Sequence, residues 1–193
     1  MIVTVATGNA HKLEEMRDIN KHSSIILQAV QGVFDPDENG KTFAENAFIK
    51  AKAASLIVKD YAFADDSGLC VEYLNGRPGL HTARYAPTQA EKIAKMLNEL
   101  DGVPFEKRSA RFECHMALTD KNGLLIYETC GIIEGYIAEK AAGVGGFGYD
   151  PIFFVKEYGK TLAELPEHEK NKISHRTKAL LPMLDFIETL NNK

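Results

Sequence analysis

The sequence is short of the features that mark several large protein classes. Only three of its 193 residues are cysteines, Cys70, Cys114 and Cys130, far apart and with no CxxC pair. A disulfide framework is therefore not expected. Each cysteine lies in an apolar, strand-like stretch and reads as a buried free thiol, which suits a reducing cytoplasm. There is no excess of positive charge. With 23 Lys and Arg against 27 Asp and Glu, the net charge is −4, so a nucleic-acid polymer, which wants a broad basic stripe, is not an expected partner. A local basic cluster can still hold one small polyanion. No apolar run nears the roughly 18 residues that a membrane span requires. The start has no basic segment leading into a long apolar one, so neither a span nor a secretory leader is expected. The six histidines show no HxxxH or HxH spacing, which argues against zinc. Repeats, low-complexity tracts and linker-like segments are also missing.

What is present is ordinary for a globular chain: 45% hydrophobic and 26% charged residues. The length predicts a single domain over residues 1–193, with room for two lobes and a core that needs no staples. Residues 1–6 and 24–30 read as short strands. Residues 12–20 read as a helix with Leu13, Met16 and Ile19 at helical spacing. QGVFDPDENGK (31–41) is a loop. Thr42 opens a long alanine-rich helix, with Glu45 three residues on as in a capping box. Residues 88–100 repeat that signature with Thr88 and Glu91. Segments 109–119 and 124–134 flank DKNG, and Asn122-Gly123 predicts a hairpin. A last helix spans about residues 174–190, with Pro182 expected to kink it. Helices between early strands, followed by a hairpin, predict an α/β fold with a mixed sheet.

Four stretches have the composition for chemistry. In TGNAHK (7–12) a strand meets a helix start, where unpaired N–H groups and the helix dipole favour an anion. Gly8 permits close approach, Thr7 and Asn9 can cap, and Lys12 adds charge. It is not a Walker A loop, and a plain capped turn is the competing reading. In FADDSG (63–68) two adjacent carboxylates stand where a strand is expected to end. Alternation sends Asp65 and Asp66 to opposite sides. Either one, with an acid from DPDE (35–38), could serve Mg²⁺, which needs only one or two carboxylates beside phosphate and water. A solvated Asx turn is the alternative. GVGGFG (143–148) fits G-x-G-x-x-G, but Tyr-Asp-Pro and an extended IFFV follow it in place of a helix, so a Rossmann site is rejected. In HEKNKISHR (168–176), Ser174 is a natural N-cap. It leaves His175 and Arg176 in a first helical turn, where cations oppose the dipole unless an anion answers them. Lys50 and Lys52 read as a solvated helix face, although Lys50 could turn toward phosphate. Glu45 reads as a cap and Arg84 as a loop residue.

Together, TGNAHK, FAENAFIKAKAAS, ADDSGL with RPGLHTARYA, GGFGYDPIF and EKNKISHR resemble the inosine triphosphate pyrophosphatase family in content and order. That resemblance implies an elongated mixed sheet with two α/β lobes flanking a nucleotide cleft. It also implies a homodimer, Mg²⁺ dependence, and hydrolysis of ITP, dITP and XTP to monophosphate and pyrophosphate. Carried over by position, Thr7, Gly8, Asn9, Ala10, His11 and Lys12 hold the triphosphate. Asp66 is the catalytic acid and a metal ligand, Ser67 touches substrate, and Glu38 is a second metal ligand. Phe147, Gly148, Tyr149, Asp150, His175 and Arg176 surround the base, and Lys170 contacts the nucleotide. The rivals are a Maf-like enzyme for modified pyrimidine nucleotides, disfavoured by FGYD and SHR, and a non-catalytic nucleotide sensor, disfavoured by Asp66 and Glu38.

Overall fold

The computed structural model describes residues 1–32 and 34–191. Val33, within the expected loop, and the last two residues lie outside the described residues. Among the described residues seven strands make one mixed sheet in the order β2-β1-β3-β4-β5-β6-β7. They are β1 (Ile2–Val5), β2 (Ile26–Ala29), β3 (Ala62–Val71), β4 (Ser109–Thr119), β5 (Leu125–Ile137), β6 (Phe153–Val155) and β7 (Lys160–Thr161). Strand β1 pairs in parallel with β2 and β3, whereas β5–β6 and β6–β7 are antiparallel. The helices are α1 (Ala10–Ile19), α2 (Phe43–Val58), α3 (Gln89–Glu99), α4 (Glu167–Ile173) and α5 (His175–Asn191). This is an α/β fold with a mixed sheet. Among the described residues no helix is long and apolar enough to cross a membrane.

The residues group into two compact units. The first comprises Met1–Ser67, Cys114–Gly131 and His175–Lys193; the second comprises Gly68–Glu113 and Ile132–Ser174. The first unit packs Val3, Val5, Leu13, Met16 and Phe63 with Met183, Leu184 and Ile187 of α5. On the other face of β3, Ala47, Ala51 and Ala54 of α2 meet Ala6, Ala62, Ala64 and Ala117. Their spacing of four and three puts three small side chains on one helix stripe, so α2 can lie close against the strands. The second unit has its own core, with Leu69, Val71, Met96, Leu100, Phe112, Ile152 and Phe153 among its members.

Most local signals translate directly. Thr88 and Glu91 form the reciprocal capping box, with Glu91 N to Thr88 Oγ1 at 3.2 Å and Thr88 N to Glu91 Oε2 at 2.9 Å. Thr42 caps α2 through Glu45 N, but the Glu45 carboxylate accepts from Lys41 N, one residue earlier than a full box requires. At the hairpin, Asp120 Oδ1 accepts from Asn122 N and Leu124 N, and Gly123 takes φ +77°. Pro182 lies inside a continuous α5, on its exposed side, where its ring meets solvent and not the core.

Two expectations need correction, and one element has no signal in the sequence. FADDSG does not end a strand, because β3 runs unbroken through Asp65, Asp66, Ser67 and Gly68. Two adjacent acids lower local strand preference, but cations from neighbouring helices pair with both, and tertiary context outweighs propensity. The stretch before SHR contains a short helix, α4, unmarked by any side-chain cap. Cys70 and Cys114 are buried free thiols, but Cys130 is exposed on β5, with Sγ 3.4 Å from His115 Nε2.

Candidate active site

The loop after β1 turns into α1 with Asn9 at the N-cap. Its Oδ1 accepts from His11 N at 3.0 Å and Lys12 N at 3.3 Å, and its own N–H donates to Thr7 Oγ1 at 3.1 Å. TGNAHK is therefore a capped helix start whose Gly8, Asn9, Ala10 and His11 are exposed. An anion arriving there competes with the Asn9 side chain for two of the first-turn donors.

Lys12 points inward to the strand. Its Nζ lies 2.8 Å from Asp65 Oδ2, and the Asp65 side chain is fully buried. Ser67 Oγ donates to the same oxygen at 3.3 Å, and Arg176 Nη2 stands 3.5 Å from it. Arg176, from the first turn of α5, also pairs with buried Glu15 of α1 and donates to Ser67 Oγ at 3.2 Å. Burial alone would raise the Asp65 carboxyl. Lys12, Arg176 and Lys50 outweigh it and hold the group well below the usual carboxylate range. Burial likewise works against the Arg176 charge, and Glu15 and Asp65 more than compensate. The carboxylates therefore answer the cation at the α5 start, so no external anion is needed for that purpose.

Asp66 faces the other way, as strand alternation requires. Its Oδ1 is 3.0 Å from Lys50 Nζ, and its Oδ2 accepts from Asn46 Nδ2 at 3.2 Å. Lys50 Nζ is also 3.0 Å from Glu38 Oε2. Asn46 and Lys50 are one helical turn apart on α2, so a single face delivers both to the strand. Burial pushes the Asp66 carboxyl upward; Lys50 and Lys12 recover part of that shift, and Glu38 adds to it. The two neighbouring aspartates thus move in opposite directions. For Lys50, burial opposes the charge but Asp66, Asp65 and Glu38 prevail, so it stays cationic.

Glu38 and Asp66 offer hard oxygen donors to one shared cation, here an ammonium. Among the described residues no three His, Cys, Asp or Glu side chains gather as a complete metal cage. That combination suits Mg²⁺, which takes one or two carboxylates and completes its shell with phosphate and water.

The remaining candidates divide between the units. His175 lies in the first and is buried. Phe147, Gly148, Tyr149, Asp150 and Lys170 lie in the second. There Asp150 Oδ2 accepts from Phe147 N at 2.8 Å and from Lys170 Nζ at 2.9 Å, while Lys170 Nζ sits 4.9 Å from the centre of the Phe147 ring. A Cβ on Gly146, at φ +69°, would stand 2.1 Å from Asp150 Oδ2, so only glycine admits this turn. Tyr149 is buried and its hydroxyl donates to Thr82 O at 3.3 Å. Arg84 is exposed in a 3₁₀ turn, Gly79–Arg84.

Three polar residues of the first unit make contacts that the sequence does not reveal. Lys50 reads there as part of a solvated face and is in fact buried. Asn46 lies within FAENAFIKAKAAS with no role of its own assigned, and Glu15 falls one helical turn from Lys12 on the buried side of α1. Its place between Leu13 and Met16, both core residues, is the available signal.

Residues 3–186 match the model of the Ham1 family. A dITP/XTP pyrophosphatase of Treponema denticola is 49% identical over 197 residues, covering 97% of this chain and 99% of that protein. One from Bacillus subtilis is 43% identical over 190 residues, covering 95% and 96%. The solved structure of a HAM1 protein from Coxiella burnetii superposes with a TM-score of 0.88 at 39% identity, covering 98% of this chain and 99% of that one. A match over nearly the full length, in sequence and in fold alike, leaves one conclusion: the chain belongs to the Ham1 family.

Proposed function

We propose that the chain hydrolyses the deaminated purine nucleotides ITP, dITP and XTP to the monophosphate and pyrophosphate, clearing them from the nucleotide pool. The observation that carries this reading is the meeting of Glu38 and Asp66 on one cation, in the same unit as Lys12 and the exposed start of α1. Relatives bearing the name dITP/XTP pyrophosphatase support the substrate class.

In this scheme Thr7, Gly8, Asn9, Ala10, His11 and Lys12 seat the triphosphate, with backbone N–H groups released from Asn9, the helix dipole, and the Lys12 ammonium turning from Asp65 to the phosphates. Glu38 and Asp66 would hold Mg²⁺, which when bound offsets charge on the phosphates. Water attacks the α-phosphorus in line and pyrophosphate departs, a reaction governed by positioning and electrostatics. Asp66 orients or deprotonates the water. Without a metal, burial displaces the Asp66 carboxyl upward, and a divalent ion bound to it would draw it back down, whereas Asp65 is held ionised by its cations. Ser67, whose hydroxyl donates to Asp65 and accepts from Arg176, is assigned to the substrate by the family resemblance.

Phe147, Gly148, Tyr149, Asp150, Lys170, His175 and Arg176 are assigned to base recognition by the family resemblance alone. Hypoxanthine and xanthine carry a 6-keto acceptor where adenine carries an amino donor. Fixed donors reward the first and are left unpaired by the second, a contrast worth on the order of 10⁴ or more. We further propose that both units serve one functional domain over residues 1–193, and that the protein works as a cytoplasmic homodimer. Its partner is a small nucleotide, not a nucleic-acid polymer.

The test offers ITP, XTP, dUTP, ATP and GTP with Mg²⁺ and scores pyrophosphate against orthophosphate. Pyrophosphate from ITP and XTP is expected. Orthophosphate as the direct product overturns α-attack, equal ATP turnover overturns the base preference, and a preference for dUTP would favour the pyrimidine-directed reading.

A further inference from the structure

We propose that the Lys50 ammonium is a built-in place-holder for the metal ion, filling the cation seat between Glu38 and Asp66 until a divalent ion takes it. This rests on the reading of those two carboxylates as metal ligands. The geometry is that of a shared counter-ion: Nζ stands 3.0 Å from Glu38 Oε2 and 3.0 Å from Asp66 Oδ1. The three groups come from separate segments, the loop before α2, the middle of α2 and β3. Asn46 braces the arrangement. Its Nδ2 donates to Asp66 Oδ2 at 3.2 Å, and its Oδ1 accepts from Gly40 N at 2.9 Å, two residues beyond Glu38. The two carboxylates are thus held ready for a cation, and an ammonium keeps them from repelling each other.

An ammonium and a divalent ion cannot share these oxygens. Mg²⁺ bonds at about 2.0–2.1 Å and brings its own shell of ligands into the space that Nζ occupies. Lysine can yield because its charge sits on a flexible four-carbon stem, so Nζ swings away while the backbone stays in α2. Arginine's planar fork, which can bind two carboxylates at once, is less able to leave. The displaced ammonium needs a new anion, and the phosphates of an arriving nucleotide provide it. Metal and nucleotide therefore bind cooperatively, and by linkage each raises the affinity for the other.

The test measures Mn²⁺ binding to the nucleotide-free protein from the electron paramagnetic resonance signal of the free ion. Lys50→Met is expected to bind Mn²⁺ at least about tenfold more tightly than the wild type, since one nearby charge moves such equilibria by roughly one to three powers of ten. Lys50→Arg should bind no better than the wild type. Equal or weaker binding by Lys50→Met, or tighter binding by Lys50→Arg, overturns the proposal. A second readout needs no variant. Brief acylation of the wild-type protein, read by mass spectrometry, should modify Lys50 several-fold faster when Mn²⁺ is bound, with exposed Lys52 as the internal reference. Unchanged or slower labelling of Lys50 overturns the exchange even if Lys50→Met does not fold. Hydrolysis of ITP by the wild type is measured alongside. Retained hydrolysis without exchange refutes only the place-holder role, whereas absent hydrolysis refutes the function.

Discussion

Asp65 lies fully buried between Lys12 and Arg176, while Asp66, one peptide further along β3, meets Lys50 and Asn46 on the opposite face. Neighbours in sequence, they differ in what removing each should do. Asp65→Asn keeps the shape but leaves buried cations with one carboxylate fewer, and breaking a buried pair costs about 3–5 kcal/mol. Thermal unfolding at neutral pH should show the loss. Its pH dependence has a definite sign. The folded carboxyl titrates below its unfolded value of about 3.9, so its contribution is complete above that pH and is lost as pH falls toward the folded value. The wild-type advantage over Asp65→Asn should therefore narrow below about pH 4. Asp66→Asn should instead cut pyrophosphate release by at least about 10³-fold, within the range attributed to a positioned general base. Nucleotide binding, followed calorimetrically, should persist. Full activity in that variant would remove Asp66 from the chemistry.

Helix α2 connects packing to the site at the scale of an element. Its alanine stripe sets how near the helix lies to the strands, and that approach lets Asn46 and Lys50 reach Asp66. Ala51 has no exposed surface and faces other alanines. Ala51→Leu should cost about 1–3 kcal/mol by overpacking, read by urea unfolding. It should also lower turnover by lifting the two polar side chains away from β3. This role of α2 is only half visible in the sequence. Alanine richness and the Thr42 cap announce the helix, but periodicity alone does not tell the buried edge carrying Lys50 from a solvated one. A lysine is rarely buried unless paired. Its partners, Glu38 and Asp66, lie 12 and 16 residues away in sequence. The same holds for β3: local propensity speaks against a strand through two aspartates, and charges from α1, α2 and α5 outweigh it.

Over the whole molecule, neither unit is a continuous piece of chain. The first draws on residues from the beginning, the middle and the end of the sequence. Residues 1–67 alone lack Cys114, Met116 and Leu118 of β4 and Leu180, Met183, Leu184 and Ile187 of α5, all part of the same buried cluster. That fragment should fail to fold by itself, giving a disordered far-ultraviolet circular dichroism spectrum. A cooperatively folding fragment would show the distant segments to be dispensable. The family motifs are spread in the same way: TGNAHK and SHR, at opposite ends of the chain, supply the Lys12 and Arg176 that share Asp65.

The sequence by itself determined what local physics governs. The helix starts at Thr42 and Thr88, the Asn-Gly hairpin and the opposed directions of Asp65 and Asp66 all follow from caps, turns and periodicity. Ordered motifs of the right residue types determined the family. Only the tertiary structure decided which charges neutralise which. Lys12 and Arg176 belong to Asp65, Glu15 belongs to Arg176, and Lys50 belongs to Glu38 and Asp66. The reason is physical: a buried charge is tolerated only with its partner, and the partner is chosen by packing in three dimensions, not by separation along the chain.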